Sequence, residues 1–118
     1  MDLILEVRTG RERVILACHG KLIGGKEADA FRRSALLLLG GFDKLTINLA
    51  GVRTMDCGGL GSLAAVLAWV HKTGKEVRIT HANPLIQRMI QVFKLAESLE
   101  VGSPPALQMV ASSHRAVA

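Results

Sequence analysis

Leu3, Leu5 and Val7 alternate with Ile4, Glu6 and Arg8, a two-residue period that predicts a strand with one apolar face and a second face that is only partly polar. A turn at Thr9-Gly10-Arg11-Glu12 leads into the denser apolar run Val14-Ile15-Leu16-Ala17-Cys18, so the first two strands are expected to form a hairpin. His19-Gly20 closes the second strand, and Gly24-Gly25 resets the backbone before the period changes. From about Lys26 to Leu39, Ala28, Phe31, Ala35 and Leu38 share one helical stripe, while Lys26, Asp29, Arg32 and Arg33 lie largely off it. Gly40-Gly41 stops this helix, because glycine enters the left-handed cap conformation that β-branched residues resist.

A third strand follows, with Leu45, Ile47 and Leu49 on one face and Thr46 and Asn48 on the other. Beyond a glycine-rich corner, Leu60, Leu63, Leu67 and Val70 repeat at helical spacing, Ala64 and Ala65 permit close approach, and Trp69 and His71 border the stripe. Thr73-Gly74 ends that helix, and Val77 and Ile79 mark a fourth strand. Asn83-Pro84 is a helix start, since Asn accepts from free amides and Pro lacks the donor that a first turn leaves unpaired. Leu85, Ile86, Met89 and Phe93 give the new helix its apolar side, and Leu99 and Val101 supply a short last strand. Gly102-Ser103-Pro104-Pro105 breaks the pattern, so the expected division is a domain over residues 1–102 and a C-terminal tail over 103–118, frayed or weakly helical. Strands alternating with helices imply right-handed crossovers onto a sheet with parallel members, and the opening hairpin makes the sheet mixed. The expected fold class is α/β with a four- or five-stranded mixed sheet.

With 118 residues, 49% of them hydrophobic, the chain can bury one core without disulfide or metal staples. Its formal charge of +5 comes from scattered cations, and with 3% aromatic residues and no Tyr it offers few platforms for stacking bases. Direct nucleic-acid binding is therefore not expected. Cys18 and Cys57 have neither redox-dithiol nor four-ligand zinc spacing, and His19, His71, His81 and His114 lie in or beside different elements, so no metal or cofactor is expected. The N-terminus lacks a leader pattern, and the apolar runs Ala35–Leu39 and Leu63–Val70 are too short to cross a bilayer. A cytoplasmic domain without membrane insertion follows as the expectation.

The densest chemical signal is Asn48-Leu-Ala-Gly-Val-Arg-Thr-Met-Asp-Cys-Gly-Gly-Leu-Gly61, where a buried strand turns into a helix and unpaired helix amides point outward. Asp56 is placed to cap the amide of Gly58 or Gly59, alone or while orienting the corner for a protein partner. Cys57 sits in the positive field of the helix start near Arg53, yet no paired base is evident; packing is its expected role and redox sensing the alternative. Gly58, Gly59 and Gly61 permit a tight turn and close packing, and also offer backbone donors to a partner or an anion. No dinucleotide turn or phosphate loop is present, and no nucleophile, base and electrophilic clamp converge, so an enzyme is not expected.

From about Leu3 to Val101 the chain resembles the STAS domain family, particularly bacterial anti-sigma factor antagonists. Leu45-Thr-Ile-Asn-Leu-Ala-Gly-Val-Arg-Thr-Met-Asp-Cys-Gly-Gly-Leu-Gly61 is similar to the family's strand and Asp-Ser-Ser-Gly-Leu-Gly corner, and Gly74-Lys-Glu-Val-Arg-Ile79 to its next strand. Asn83-Pro84 and Phe93-Lys-Leu-Ala-Glu-Ser-Leu99 resemble the region of its last helix and strand. The resemblance implies helices gathered mainly on one face of the sheet. It also implies binding to a switch-kinase anti-sigma factor that phosphorylates a serine at the helix start and so breaks the complex. On this match Asp56 stands for the leading aspartate, Cys57 for the first serine and Gly58 for the phosphorylated serine. Phosphoryl transfer needs a nucleophilic oxygen, so Gly58 is a degenerate phosphosite; Thr54 and Ser62, the nearby hydroxyls, do not occupy that position. The family's aspartate after a Gly-x-Leu segment is also missing, because Gly20-Lys21-Leu22 is followed by Ile23. The implied partner-binding surface is Lys21, Leu22 and Ile23 beside Asp56, Cys57, Gly58 and Gly59, and the implied partner is an anti-sigma factor or related switch kinase. A homodimer is left open. The alternatives are a non-phosphorylated STAS scaffold in another signalling or transport assembly and a small-anion or nucleotide sensing module.

Overall fold

The structure, a computed structural model, describes residues 1–92, 99–100 and 108–112. Its elements in chain order are β1 (Leu3–Thr9), β2 (Arg13–Leu22), α1 (Lys26–Gly41), β3 (Lys44–Met55), α2 (Cys57–Thr73), β4 (Glu76–Thr80), α3 (Pro84–Val92), β5 (Leu99–Glu100) and β6 (Gln108–Ser112). The strands form one sheet in the order β1-β2-β3-β4-β6-β5. β1 and β2 make the expected antiparallel hairpin, β2, β3 and β4 run parallel, and β6 returns antiparallel to β4. The fold is thus α/β with a mixed sheet. Among the described residues it has six strands, and the sixth, Gln108–Ser112, lies in the segment assigned to the tail. Gln108-Met-Val-Ala-Ser112 has no clear polar alternation of its own; pairing with the edge of β4 supplies what the local pattern does not.

One face of the sheet carries Val14, Leu16, Leu45, Ile47, Leu49, Val77 and Ile79, all at most 1% exposed, and the helices cover it. α1 contributes Ala28, Phe31, Ala35 and Leu39, and α2 contributes Leu60, Leu63, Val66, Leu67 and Val70. Leu39, four residues after Ala35, is the fully buried end of the α1 stripe, and the expected Leu38 packs partly buried against the same core. Complete burial of the Phe31 ring contributes roughly 1.5–3 kcal/mol. Asn83 acts as expected, its side-chain oxygen accepting the Ile86 N–H at 2.8 Å to start α3. Phe93, Val101 and the Gly102–Pro105 break lie outside the described residues.

The other face is the more polar one, with Arg13, Thr46, Asn48, Glu76 and Arg78 beside the apolar Ile4, Ile15 and Ala17. Arg13 donates to Thr46 Oγ1 at 3.1 Å and approaches Glu76 at 3.6 Å, tying the β2–β3–β4 row together. Among the described residues, no helix is long and apolar enough to cross a membrane.

Candidate functional site

β2 and β3 are parallel neighbours, so their C-terminal ends emerge side by side, with Lys21 opposite Thr54 and Leu22 opposite Met55. The β2–α1 loop at Ile23-Gly24-Gly25 therefore lies directly beside the β3–α2 corner. Asp56 is the N-cap of α2 in extended backbone, and its Oδ1 accepts the Gly59 N–H at 2.9 Å. The same oxygen accepts the Gly24 N–H, also at 2.9 Å. One carboxylate oxygen thus caps the helix and ties it to a loop 32 residues earlier in the chain. The first bond is legible in the Asp-x-x-Gly spacing; the second depends on strand order and has no local signal.

The loop approaches so closely that side chains are excluded. A Cβ placed on Gly58 would stand 2.5 Å from Gly24 Cα and 3.0 Å from Gly24 N. One placed on Gly59 would fall inside the contact radius of the Leu22 carbonyl oxygen. Gly25 turns the chain at φ +95° immediately before α1, a conformation that side-chain-bearing residues rarely adopt. Gly24 and Gly58 are therefore the two halves of one backbone-to-backbone contact, with Gly59 packed against the Leu22 carbonyl beside it.

Of the residues expected to face a partner, Asp56, Cys57 and Gly58 are exposed, and Lys21 and Ile23 are half-buried. Leu22 is fully buried and Gly59 lies beneath the Leu22 carbonyl, so these two shape the surface from below. The reason for Leu22 is its register: it lies opposite Met55, itself 4% exposed, on the covered side of the sheet. The expected packing role of Cys57 is corrected, since its thiol is exposed. Met55 and Leu60, on either side of the exposed stretch Asp56-Cys57-Gly58, are buried. Cys18 is the packed cysteine, and loss of water pushes its thiol up to about 12. Ser62 is buried and its hydroxyl donates to the Gly59 carbonyl at 2.6 Å, so this nearby hydroxyl is already engaged within α2.

Between α1 and α2 runs a shallow groove of about 330 Å³, lined by Gly25, Asp29, Arg32, Gly58, Gly61 and Ser62 among others. Arg32 donates to Asp29 at 2.9 Å and Arg33 pairs with the other oxygen of the same carboxylate. The Arg32 hydrogen bond, followed by the charge of Arg33, holds the Asp29 carboxyl below the ordinary carboxylate range. The groove's cation is thus matched by an internal anion, and the Gly59 amide of α2 is already taken by Asp56. Both features weigh against anion or nucleotide sensing here. Among the described residues, no three His, Cys, Asp or Glu side chains are grouped to hold a metal ion.

The family model described as "Mlab, STAS domain" matches residues 5–108. No protein of curated function matches the sequence. Among solved structures, the chain is similar to an anti-sigma factor antagonist from Mycobacterium paratuberculosis, with 20% identity, a TM-score of 0.68 and 80% of each chain covered. It is also similar to the Bacillus cell fate determinant SpoIIAA in its phosphorylated form, with 15% identity, a TM-score of 0.66, and 80% of this chain and 86% of that one covered. A third likeness is to the murine anion transporter Slc26a9, with 18% identity and a TM-score of 0.64; it spans 76% of this chain but 15% of the transporter. At these identities the three structures share the fold.

Proposed function

The chain belongs to the STAS domain family, and on that premise we propose that it is a cytoplasmic protein-docking domain that binds a switch-kinase anti-sigma factor through the β3–α2 corner, without phosphorylation control at that corner. The contact surface in this reading is Asp56, Cys57 and Gly58 with the edges of Lys21 and Ile23, shaped from below by Leu22 and Gly59. The observation that carries it is the state of position 58. That position has no hydroxyl, and the Gly24 backbone occupies the space a side chain would need. A phosphoryl group adds close to two negative charges and requires an acceptor oxygen, neither of which Gly58 supports. Docking then depends on shape and on the Asp56 latch, and its strength does not change with the kinase's catalytic cycle.

Titration calorimetry with a purified switch-kinase anti-sigma factor, with and without ATP and Mg2+, tests this directly. The expected result is saturable binding with the same affinity in both conditions and no added phosphate on the intact chain by mass spectrometry. Absence of binding to such kinases, or dissociation with phosphate on another residue, overturns it. The second reading, a non-phosphorylated scaffold in another signalling or transport assembly, is favoured by the same blocked position, because a scaffold needs no acceptor oxygen. In that case Asp56→Ala weakens binding to the assembly partner while no anti-sigma kinase binds.

A further inference from the structure

We propose that β1 is a self-association edge: two copies of this chain pair antiparallel through it, centred on Val7, with Glu6 of each opposite Arg8 of the partner subunit. This goes beyond the docking reading, because it uses a different part of the molecule and stands whether or not the corner binds a kinase.

β1 lies at one end of the strand order and pairs only with β2 among the described residues. Its register with β2 runs without a bulge from Leu3 opposite Gly20 to Thr9 opposite Val14. The ladder is bracketed by Lys21 N–H donating to the Asp2 carbonyl and Gly10 N–H donating to the Arg13 carbonyl, both at 2.8 Å. These bonds fix its phase. Even-numbered residues of β1 turn their peptide groups toward β2, so Leu5, Val7 and Thr9 turn theirs to the open edge. Natural edges are usually blunted by Pro, charged side chains, bulges or covering segments; β1 has no Pro and no bulge, and its two charges, Glu6 and Arg8, are of opposite sign. Ile4 and Val7 are instead 65% and 50% exposed.

Charge selects the partner and the register. Glu6 and Arg8 are two residues apart and share the open face of the sheet, where Glu6 Oε1 already lies 3.0 Å from His19 Nε2 of β2, so Arg8 of the partner subunit would bring a further cation to the same carboxylate. In an antiparallel pair centred on Val7, the odd residues with outward peptide groups meet one another, and Val7 packs on Val7 of the partner subunit. Glu6 then lies directly opposite Arg8 of the partner subunit, and the twofold axis repeats the pair. Centring on Glu6 sets like charges face to face. Centring on Leu5 sets each Glu6 against an apolar Ile4. A second copy of the chain is thus the strand whose charges and peptide phase match this edge. Val7 lies opposite Leu16, and Leu16 is six residues before Leu22, roughly 20 Å along the strand, so pairing leaves both corners open.

Sedimentation velocity on the full chain, from micromolar to about 1 mM, reads the equilibrium. A concentration-dependent dimer is expected. Glu6→Arg alone and Arg8→Glu alone each raise the dimer Kd about tenfold or more, since each creates two like-charge pairs. The double exchange E6R/R8E restores the wild-type Kd within about threefold, because the pairs reform with reversed sign. Val7→Pro abolishes dimerisation while leaving the β1–β2 ladder intact, as its lost N–H faced the open edge. Circular dichroism of each variant confirms folding. A monomer throughout the concentration range overturns the proposal. So does a dimer indifferent to Val7→Pro, or single charge variants that the double exchange does not rescue.

Discussion

Restoring a serine at position 58 is expected to destabilise the fold. Gly58→Ser adds a Cβ 2.5 Å from Gly24 Cα and 3.0 Å from Gly24 N, and both atoms are backbone that cannot rotate aside. Relief requires the β2–α1 loop to move away, which stretches the Gly24 N–H bond to Asp56 Oδ1. Overpacking of this kind costs about 1–3 kcal/mol, while serine's better helix propensity returns a few tenths of a kcal/mol. The net loss is about 1–2.5 kcal/mol, which lowers the urea midpoint by about 0.5–1.5 M if the slope is unchanged. Two neighbours calibrate the result. Gly61 lies in the same helix with open space around its Cβ position, so Gly61→Ala is expected to stabilise by about 0.4–1 kcal/mol. Gly59→Ala, aimed at the Leu22 carbonyl, is expected to cost more than Gly58→Ser. Equilibrium urea unfolding followed by circular dichroism gives all three values. A Gly58→Ser variant as stable as wild type, or a ranking that ignores the spacing to the loop, would refute the backbone-contact explanation.

Asp56→Ala removes both bonds from one oxygen and should cost about 1–2 kcal/mol by the same unfolding assay, whereas Asp56→Asn keeps an acceptor oxygen and should cost less than half as much. With a thiol reagent such as DTNB at pH 8, Cys57 should react within seconds to minutes and Cys18 only after unfolding, giving one fast thiol in the native chain and two in denaturant. The Cys18 thiol titrates near 9.0 when unfolded and is raised to about 12 by burial, so the native state keeps a proton that the unfolded chain loses. Stability from this group is fully present below pH 9 and declines toward pH 12, by up to about 1.4 kcal/mol per pH unit; Cys18→Ala should flatten that decline in pH-dependent denaturation.

The parts legible in the sequence are those set by local periodicity. Alternation in Leu3–Val7 and Leu45–Leu49 gave strands, the Leu60–Val70 repeat gave α2, and Asn83-Pro84 gave the start of α3, because each signal depends on neighbours two to four residues away. Features that depend on chain crossings were not legible. The Gly24–Asp56 bond joins two loops that only the parallel pairing of β2 and β3 brings together. Leu22 points inward in phase with Val14, Leu16 and Cys18, which a two-residue count along β2 does show; its pairing with Met55 is hidden, because β3 carries the extra residues where the β2–β3 register shifts. The exposure of Cys57 was not legible either, since its neighbours Met55 and Leu60 are buried and no local pattern sets it apart from them. The role of Gly58 was half legible: its missing hydroxyl is in the sequence, but the loop that fills its place is visible only in the fold.

The most direct measurement of docking at the closed corner is amide hydrogen exchange on the chain, free and in complex with a switch-kinase anti-sigma factor, with ATP present throughout. Slowed exchange should appear at Cys57–Gly61 and in the Ile23–Gly25 loop, with β3 and the polar sheet face unchanged and the complex intact over the full time course. Protection confined to the polar face or to α3, with the corner amides exchanging as in the free chain, would contradict docking at this site.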